Sequence, residues 1–532
     1  MRIINTADLI TEEQIKGLQH NTREWVYNGL DTCVTLEIRN NLRKQLDNTT
    51  TTTYEFEKAL QGPVLEMAMR GILVDDERRQ KTLQSFDKQI KRLQDQLDQI
   101  VHDGIGFNID TAKAEQLWWR STQRLKNLFY DVMGLPAHRK RNANGDYTPT
   151  VDRDALEKLG STHFFAEPIT LHLLALRDLD KKRSWLRTDI DADGRMRSNF
   201  NIAGTNTGRL ASSYSDFGTG GNLQNIDREL KSVFVADPGW KFANVDLEQG
   251  DARNVGAICW NIFVNEYGED FAGSYLNACE SGDLHTYNSR LIWPNLPWTG
   301  DIKADKKVAE QLFYRQDTFR QMSKKGGHGT NYYGTPRTMA KHLKMQTHVI
   351  EEFQVNYFRA YPVIGSIDRK DHTTPHWHNY VRTQLRDYHT LTTMFGRRRQ
   401  FFGRSYDDST LREAIAYEPQ SMTADEIDTG LLRVWRANKV QVLCQVHDSL
   451  LVQYREEDEA EVVPWLIETV RVKLDLAKGR GFIVPTEAKI GWNWGDFSEE
   501  NPDGLQKWKG GDDRKRTEHP KAARKFSLSH LL

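Results

Sequence analysis

Two short apolar segments that each lead to an aspartate constrain the fold of this chain more than any other feature. Residues 240–246 have the pattern of a strand that ends at Asp246 and is followed by a charged segment able to form a helix. Residues 439–454 predict two strands that meet near Asp448. The intervening residues 254–404 are mostly helical in pattern. The sequence therefore predicts a sheet domain that is divided by a large helical insertion.

The composition is that of a globular protein with several subdomains. The chain has 532 residues and a mass of 61.6 kDa, which is long for one hydrophobic core. Hydrophobic residues make up 38% and charged residues 28%, and no apolar run is long enough to cross a bilayer. The four cysteines lie far apart, and the first residues lack the layout of a secretory signal. We therefore expect a cytoplasmic protein without a membrane partner.

The formal net charge of −1 argues against a generally basic surface, so any contact with nucleic acid would need local clusters of cations.

The N-terminal part is predicted to be a small helical element. Its apolar residues recur at every fourth position, which is typical of a helix with one buried stripe: Leu30, Val34, Ile38, Leu42 and Leu46. The polar and β-branched residues 48–53 predict a linker after this helix.

A longer helix is predicted to follow. Apolar residues that alternate spacings of three and four indicate a narrow packing seam: Leu83, Phe86, Ile90, Leu93, Leu97 and Ile100. The expected partner is the region 112–133, which follows a helix-start signal at residues 108–110. Together these segments predict a helical projection rather than a sheet.

Asp246 and Asp448 are the candidate metal ligands. Phosphoryl transfer needs an activated attacking oxygen and a neutralised leaving oxygen, and a pair of magnesium ions held by oxygen ligands provides both. Two aspartates at strand ends can share such a site. Because a single aspartate at a strand end is more often a turn former or a helix cap, the pair needs support from other residues.

A basic and aromatic stripe provides that support. Arg320, Lys324, His328 and Tyr332 recur at four-residue spacing and share one face of a predicted helix. The two cations suit a triphosphate, and the two rings suit a base or a sugar. The glycines at 326, 327 and 329 do not favour an ordinary solvated helix. Close approach of a ligand or a bend in the helix would explain them.

The motifs around these residues resemble those of DNA polymerase family A, the group that includes bacterial DNA polymerase I and many phage replicases. The resemblance runs from about residue 54 to 496 and rests on DLEQGDAR around Asp246, on the stripe-bearing helix, and on QVHDSL around Asp448, in the family's order. It implies two divalent ions, Mg²⁺ with Mn²⁺ as a substitute. Their implied ligands are Asp246, Asp448 and the Leu247 carbonyl.

The same resemblance implies roles for further residues, with Lys324 as a catalytic residue as well as a triphosphate ligand. The implied contacts of the incoming deoxynucleotide are Gln249, Asp251, His285, Arg320, Lys324, His328 and Tyr332. The implied contacts of primer-template DNA are Arg209, Gln224, Asn225, Arg397, Arg412, Gln420 and His447.

The implied fold class is α+β, the right-hand polymerase fold, with an antiparallel palm sheet, helical fingers and a helical thumb. The predicted divisions are an exonuclease-like remnant (1–53), palm entry and thumb (54–190), the first part of the palm (191–253), fingers (254–405), the second part of the palm (406–496) and a basic tail (497–532).

Three residues depart from the family's pattern. Asp251 stands where the family usually has glutamate, at the position expected to exclude a ribose 2′-hydroxyl, so we expect weaker discrimination against ribonucleotides. His328 replaces the usual phenylalanine or tyrosine and brings a smaller, titratable ring to the nucleotide's sugar. Ser449 stands where an acid is common, and the two aspartates are still expected to suffice.

The N-terminal helix carries a remnant of a second site. The segment from Tyr27 to Asp31 resembles the last motif of the family's proofreading 3′-5′ exonuclease, whose other motifs are absent. One aspartate cannot build a site that needs several acids. We therefore expect a helix packed on the polymerase body, no proofreading by this chain alone, and a separately encoded exonuclease or other replisome proteins as partners. The same absences favour a phage-type replicase, located in the host cell cytoplasm.

The segment after residue 496 is predicted to be a flexible, solvated tail, with a contact to duplex DNA or to a partner as the alternative. Its cations are Lys507, Lys509, Arg514, Lys515, Arg516, Lys521, Arg524 and Lys525.

Two other functions stay open. A single-subunit RNA polymerase would share the implied fold and both aspartates, and Gln249 with Asp251 favours DNA synthesis instead. A catalytically silent DNA-binding replication scaffold is the other alternative. The presence of both aspartates together with Arg320 and Lys324 argues against it.

Overall fold

The structure, a computed structural model, describes residues 12–17, 19–110, 117–142, 145–314, 317–511 and 514–516. The α-helices are α1 (Glu12–Lys16), α2 (His20–Arg43), α3 (Asn48–Arg70), α4 (Asp76–Ile105), α5 (Thr122–Lys126), α6 (Arg153–Thr162), α7 (Glu167–Leu186), α8 (Gly250–Glu280), α9 (Leu284–Ile292), α10 (Ile302–Ala309), α11 (Phe319–Asn331), α12 (Pro336–Leu343), α13 (Thr347–Ala360), α14 (Trp377–Tyr388), α15 (Asp408–Ala437) and α16 (Glu459–Val470). None of the helices in this described part combines the length and apolarity that a membrane crossing requires.

The strands are β1 (Ile72–Val74), β2 (Arg139–Arg141), β3 (Tyr147–Pro149), β4 (Arg195–Met196), β5 (Ser198–Asn201), β6 (Ala211–Tyr214), β7 (Phe234–Val235), β8 (Trp240–Leu247), β9 (Leu312–Tyr314), β10 (Asp317–Thr318), β11 (Thr390–Thr392), β12 (Arg398–Gln400), β13 (Gln441–Val446), β14 (Ser449–Arg455), β15 (Lys473–Asp475), β16 (Gly481–Ile483), β17 (Thr486–Gly491) and β18 (Gln506–Lys507).

A five-stranded antiparallel sheet with the order β13-β14-β8-β17-β18 lies at the centre of the fold. β8 pairs with β14 on one side and with β17 on the other, so its apolar side chains Phe242, Val245 and Leu247 are buried. The register places Ser449 and Glu487 on either side of Asp246. The predicted strand at 240–246 and the predicted pair of strands at 439–454 are confirmed.

The helical insertion predicted between the two parts of the sheet is also confirmed. It begins with α8, which follows β8 after a short turn and bends at Gly268, where a φ of 82° breaks the helical backbone. It continues through α14, and α15 then returns the chain to the sheet. α15 packs against α3, α8, α14 and α16, and most of its residues are buried in the main core.

A second core lies away from the sheet, between α4 and α7. α4 begins after Asp75, whose side chain accepts a hydrogen bond from the Arg78 backbone N–H, and it ends at Gly106, where φ is 74°. The part of its predicted apolar seam from Ile90 onward lies in this second core, whereas Leu83 and Phe86 lie in the main core. The long helix is therefore confirmed.

Its expected partner is only partly correct. The principal partner of α4 is α7, and residues 118–132 form short helical turns rather than one long helix. These turns still pack on α4, since the Trp118 indole N–H donates a 2.6 Å hydrogen bond to Asp98. The projection also contains the small hairpin β2–β3. Residues 111–116 of the predicted partner lie outside the described residues.

The N-terminal helix forms as α2, but its predicted buried stripe is wrong. No residue of α2 is buried, and Ile38 and Leu42 are each 48% exposed. We expected this helix to pack on the polymerase body. Residues 20–43, which include Tyr27 and Asp31, are not packed in this way.

The predicted linker at residues 48–53 is also wrong, because these residues form the first turns of α3. The Asp47 carboxylate accepts the Thr50 backbone N–H, and the Thr50 hydroxyl accepts the Asp47 N–H. This reciprocal capping satisfies two backbone donors and starts the helix despite its β-branched residues. Leu60 and Met67, further along α3, hold it in the main core.

The prediction of a flexible tail is wrong for its first part. Lys507 lies on β18 and forms an ion pair with Glu487. Arg514 donates hydrogen bonds of 2.9–3.0 Å to the backbone carbonyls of Pro502, Gly504 and Ile490. Arg516 donates one of 3.1 Å to the Ala236 carbonyl. Residues 512–513 and 517–532, with Lys521, Arg524 and Lys525, lie outside the described residues.

Candidate active site

The two candidate metal ligands meet where β8 and the β13–β14 hairpin end. Asp246 is the second-to-last residue of β8, and Asp448 lies in the hairpin turn after His447, whose φ is 57°. The Leu247 backbone N–H donates a 3.1 Å hydrogen bond to the Asp448 carbonyl, which joins the turn to the end of β8. All three predicted metal-site residues, Asp246, Leu247 and Asp448, line one cavity of about 300 Å³, here called the central cavity.

Like charges and burial make this pair of carboxylates costly to ionise. Burial, followed by the charges of Asp448 and Glu487, raises the pKa of Asp246 from 3.8 to about 7. Burial also raises the pKa of Asp448. Burial alone would raise the pKa of Glu487. The hydrogen bond from Lys507 and its charge outweigh this effect and lower the pKa of Glu487. The charge of Lys489 does not offset these effects at Asp246, nor does that of Arg209 at Asp448, whereas Lys507 does so at Glu487.

The donor set fits hard divalent cations. Oxygen ligands suit Mg²⁺, which keeps several waters and takes one or two protein carboxylates together with substrate phosphates. In the described part of the chain, no three His, Cys, Asp or Glu side chains converge into a complete metal cage. Asp246 and Asp448 therefore offer a partial site, open towards the central cavity, of the kind that a phosphate-bearing substrate completes.

The walls of the central cavity come from α8, α9 and α11. Lys324, His328 and Tyr332 line it from α11 and the residue after it, and His285 lines it from α9. Burial and the charges of Arg320 and Lys324 lower the pKa of His285 to about 4, so its ring is neutral at pH 7. Burial is the main cause that lowers the pKa of His328.

Two buried polar atoms of the central cavity lack a hydrogen-bond partner among the described residues. They are Nδ1 of His285 and Oε1 of Gln249. Gln249 has a φ of 57° at the start of α8 and also lines the cavity. Because buried polar atoms normally have partners, these atoms are suited to a polar ligand in the cavity.

The structural reason for the glycines of α11 differs from the two that we expected. A Cβ at Gly326 would lie 2.7 Å from the Phe353 ring, and a Cβ at Gly327 would lie 3.3 Å from the Tyr357 ring. α11 runs without interruption from Phe319 to Asn331. Gly326 and Gly327 therefore let α13 pack closely against α11, and Gly329 does the same for Met339 of α12. No bend of α11 is needed to explain them, and Gly327 also lines the central cavity.

Asp251, in the first turn of α8, joins Arg209 and α15 to the C-terminal end of α11. Its carboxylate accepts hydrogen bonds from Arg209 at 3.0 Å, from the Thr423 hydroxyl at 2.7 Å and from the Tyr332 hydroxyl at 3.2 Å. Gln420 also lies beside the Tyr332 hydroxyl. Arg209, predicted to contact DNA, is thus engaged by Asp251 at the edge of the central cavity.

Arg320 is the predicted nucleotide ligand that the structure does not bring to the central cavity. Its guanidinium donates two hydrogen bonds, of 3.0 and 3.1 Å, to the Asp283 carboxylate at the start of α9. The predicted contact of Arg320 with a triphosphate therefore requires this ion pair to open.

Four of the predicted DNA contacts lie near the aspartates or on α15. Gln224 donates hydrogen bonds of 3.0 and 3.1 Å to the backbone and side chain of Gln445 on β13. Asn225 and His447 are exposed next to this hairpin, and Arg412 is half-buried near the start of α15.

Arg397 is the predicted DNA contact whose position contradicts the expectation. It is only 8% exposed, and its guanidinium forms ion pairs with Asp425 on α15 and with Glu57 on α3. The hydrogen bonds to Asp425 are 2.8–3.3 Å long. Arg397 therefore joins two helices inside the protein, because an arginine this buried needs acidic partners.

Two further residues of the site were missed in the sequence. Glu487 pairs with Asp246 across β8 and β17, and Thr423 donates to Asp251. The alternating pattern that leads to Gly491 predicts a strand and so gave a signal for Glu487. Thr423 lies three residues after Gln420 on the same helix face, a weaker signal.

Curated proteins that are similar in sequence to this chain are described as DNA polymerase I. DNA polymerase I of Chloroflexus aurantiacus is 26% identical over 505 residues, covering 89% of this chain and 46% of that protein. DNA polymerase I of Deinococcus radiodurans is 25% identical over 510 residues, covering 91% of this chain and 46% of that protein. The chain thus spans about half the length of the curated relatives it matches.

A solved structure has the same fold. It is described as the POL domain of Pol1 from M. smegmatis in complex with DNA primer-template and dNTP, and it matches with a TM-score of 0.62 and 23% identity over 82% of this chain and 70% of that chain. The α+β right-hand polymerase fold is therefore confirmed. The sequence profile of DNA polymerase family A matches residues 77–262 and 303–496, more than half of the chain, and the chain belongs to DNA polymerase family A.

Proposed function

We propose that this protein is a template-directed DNA polymerase that adds deoxynucleotides to a primer 3′-hydroxyl by two-metal phosphoryl transfer. The observation that carries the proposal is the meeting of Asp246 and Asp448 in one cavity that Lys324 and His285 also line. Carboxylates for cations and basic groups for phosphates thus face the same space. Primer-template DNA and deoxynucleoside triphosphates are the proposed partners.

The aspartates and the Leu247 carbonyl would hold two Mg²⁺ ions, with Mn²⁺ as a substitute. When bound, such ions activate the attacking hydroxyl and neutralise the leaving oxygen. The Lys324 ammonium, which lines the same cavity, would compensate charge on the triphosphate. The neutral His285 ring can donate one hydrogen bond to a phosphate oxygen without adding a second cation.

The rest of the central cavity would position the nucleotide. The rings of His328 and Tyr332, which meet edge to face at 4.6 Å, offer an apolar surface to the sugar and the base. Asp251 lies beside them and would approach the ribose 2′ position. Asn225 and His447, exposed next to Asp448, would contact the primer-template on the sheet side of the cavity.

Primer extension tests the proposal. Purified protein is given a primer-template, Mg²⁺, and either the four deoxynucleotides or the four ribonucleotides, and the native chain is compared with Asp448→Ala. Asp458→Ala is the matched control, because Asp458 is an exposed aspartate whose side chain caps no helix. We expect extension with deoxynucleotides by the native chain and by the control, and none by Asp448→Ala.

The other outcomes separate the alternatives. Preferential use of ribonucleotides would favour an RNA polymerase. No extension by folded native protein that still binds DNA would favour a catalytically silent scaffold.

A further inference from the structure

An acidic residue of the sheet lies next to the candidate metal ligands without joining them. Glu487 of β17 pairs directly with Asp246 of β8, so both side chains are on the same face of the sheet. The Cβ atoms of such opposed residues are about 5 Å apart, which is close enough for two carboxylates to share a cation. Within the described residues, however, Glu487 does not complete a set of three side chains that could hold a metal ion.

Lys507 binds the Glu487 carboxylate instead. Its ammonium nitrogen lies 2.5 Å from Oε2 of Glu487 and 3.8 Å from Oε1 of Glu248. The Lys507 side chain is 55% exposed and that of Glu487 is 23% exposed. An ion pair with this exposure contributes little to the stability of the fold. Its main consequence is geometric, because it fixes the direction of a carboxylate beside the metal site.

The backbone of β18 keeps Lys507 in this place. β18 pairs antiparallel with β17 and sets Lys507 opposite Lys489. The next residue, Trp508, donates a 2.9 Å hydrogen bond to the Ala488 carbonyl, and Leu505, two residues before Lys507, is buried in the main core. Like charges at opposed positions repel each other, and this repulsion favours the turn of the Lys507 ammonium away from Lys489. The edge strand therefore brings one cation to the acid that faces Asp246.

We propose that Lys507 is a positioning residue of the metal site, which holds the Glu487 carboxylate away from the ions that Asp246 and Asp448 would bind. This inference rests on the proposed polymerase function. A Mg²⁺ ion in such a site takes one or two protein carboxylates and leaves its other positions to water and to substrate phosphates. A third carboxylate would occupy one of those positions and add a negative charge. The metal would then bind more tightly, and the triphosphate would have less access to it.

Binding of Mn²⁺ to the protein alone, measured by electron paramagnetic resonance of the free ion, tests the inference without DNA, nucleotide or polymerisation. The native chain, Lys507→Met, Glu487→Gln and the double variant form a double-mutant cycle. The matched control is Lys509→Met, which removes the same charge at an exposed position of the same segment. Lys507→Arg keeps both the charge and the ion pair with Glu487.

Lys507→Met should bind Mn²⁺ about fivefold more tightly, the size of effect that an exposed ion pair can withhold, because Glu487 is then free to approach the ion. In the Glu487→Gln background, the same substitution should change the affinity by less than about twofold. Lys507→Arg and Lys509→Met should keep the affinity of the native chain. Lys507→Gln replaces Lys507→Met if the methionine lowers the unfolding temperature.

An equal gain in Mn²⁺ affinity with and without the Glu487 carboxylate would overturn the inference, because Lys507 would then act through its charge alone or through Glu248. An unchanged affinity of Lys507→Met would overturn it as well. The result is separable from the proposed function. A gain that depends on Glu487 in a chain that extends no primer would contradict only the polymerase proposal. Primer extension by a chain that lacks this dependence would contradict only the role of Lys507.

Discussion

Replacing Asp246 by asparagine should stabilise the metal-free protein while it removes a proposed metal ligand. The carboxylate is buried beside Asp448 and Glu487, and these surroundings raise its pKa from 3.8 to about 7. Asparagine keeps the shape of the side chain and cannot ionise. The cost of a buried negative charge therefore disappears from the folded state.

The sign and size follow from the two pKa values. In the unfolded chain the carboxyl ionises near pH 4, whereas the folded protein keeps the proton up to about pH 7. The protonated carboxyl makes its full contribution to the free energy of unfolding below about pH 4. This contribution is lost as the pH rises to about 7, and above that pH it stays constant. Roughly three pKa units at about 1.4 kcal/mol each give about 4 kcal/mol. Relaxation and water in the open cavity reduce the expected gain to about 2–4 kcal/mol at pH 8.

Urea unfolding in the presence of EDTA measures this gain for the native chain, for Asp246→Asn and for the exposed control Asp458→Asn. The gain of Asp246→Asn should shrink by about 1.4 kcal/mol for each pH unit between 7 and 5. Added Mg²⁺ should stabilise the native chain and not Asp246→Asn. A gain of the same size at pH 5 and pH 8, or no gain at all, would refute the electrostatic reasoning.

Further expectations concern packing, the nucleotide and proofreading. Gly326→Ala should lower the free energy of unfolding by about 1–3 kcal/mol because its Cβ would meet Phe353. Gly104→Ala, in open space on α4, should raise it by about 0.5–1 kcal/mol. Changes of the same sign for the two variants in urea unfolding would contradict this. Lys324→Ala should lower kcat/KM for deoxynucleotides on the order of 10²-fold in primer extension, and an unchanged value would exclude its proposed role. Asp251→Glu should reduce ribonucleotide incorporation on the order of tenfold in a competition assay, where increased incorporation would oppose the gate interpretation. A primer with a mismatched end should not be shortened by the purified chain, as a gel of the labelled primer would reveal.

The elements that the sequence predicted well are those whose local pattern and tertiary surroundings agree. β8 and the β13–β14 hairpin have apolar residues on a buried sheet, and α4 has a seam that faces its second core. In these elements the periodicity is itself the result of the packing. Asp246 and Asp448 follow at strand ends, and these positions predicted a shared site once the basic and aromatic stripe and the family resemblance supported them.

The wrong predictions have two physical causes. In one, a side-chain cap beside the segment decides its structure, and in the others the packing partner lies far away in the sequence. Residues 48–53 look like a linker by composition, and a reciprocal cap with Asp47 turns them into helix. Arg397 looks like a solvated cation, but Glu57 and Asp425, far away in the chain, bury it. The glycines of α11 look like a hinge until α13 is seen to pack against them. No short sequence window contains the partners of Arg397 or of these glycines.

Arg320 was predicted to bind a triphosphate, and in the structure it binds the Asp283 carboxylate instead. Asp283 caps the first turn of α9 and accepts both hydrogen bonds of Arg320, so this ion pair ties α9 to α11 across the wall of the central cavity. In the proposed function a triphosphate competes with the Asp283 carboxylate for the same guanidinium. Because one oxyanion replaces the other, Arg320 keeps an anionic partner. The Asp283 carboxylate loses its guanidinium in this exchange and keeps its hydrogen bonds from Thr286.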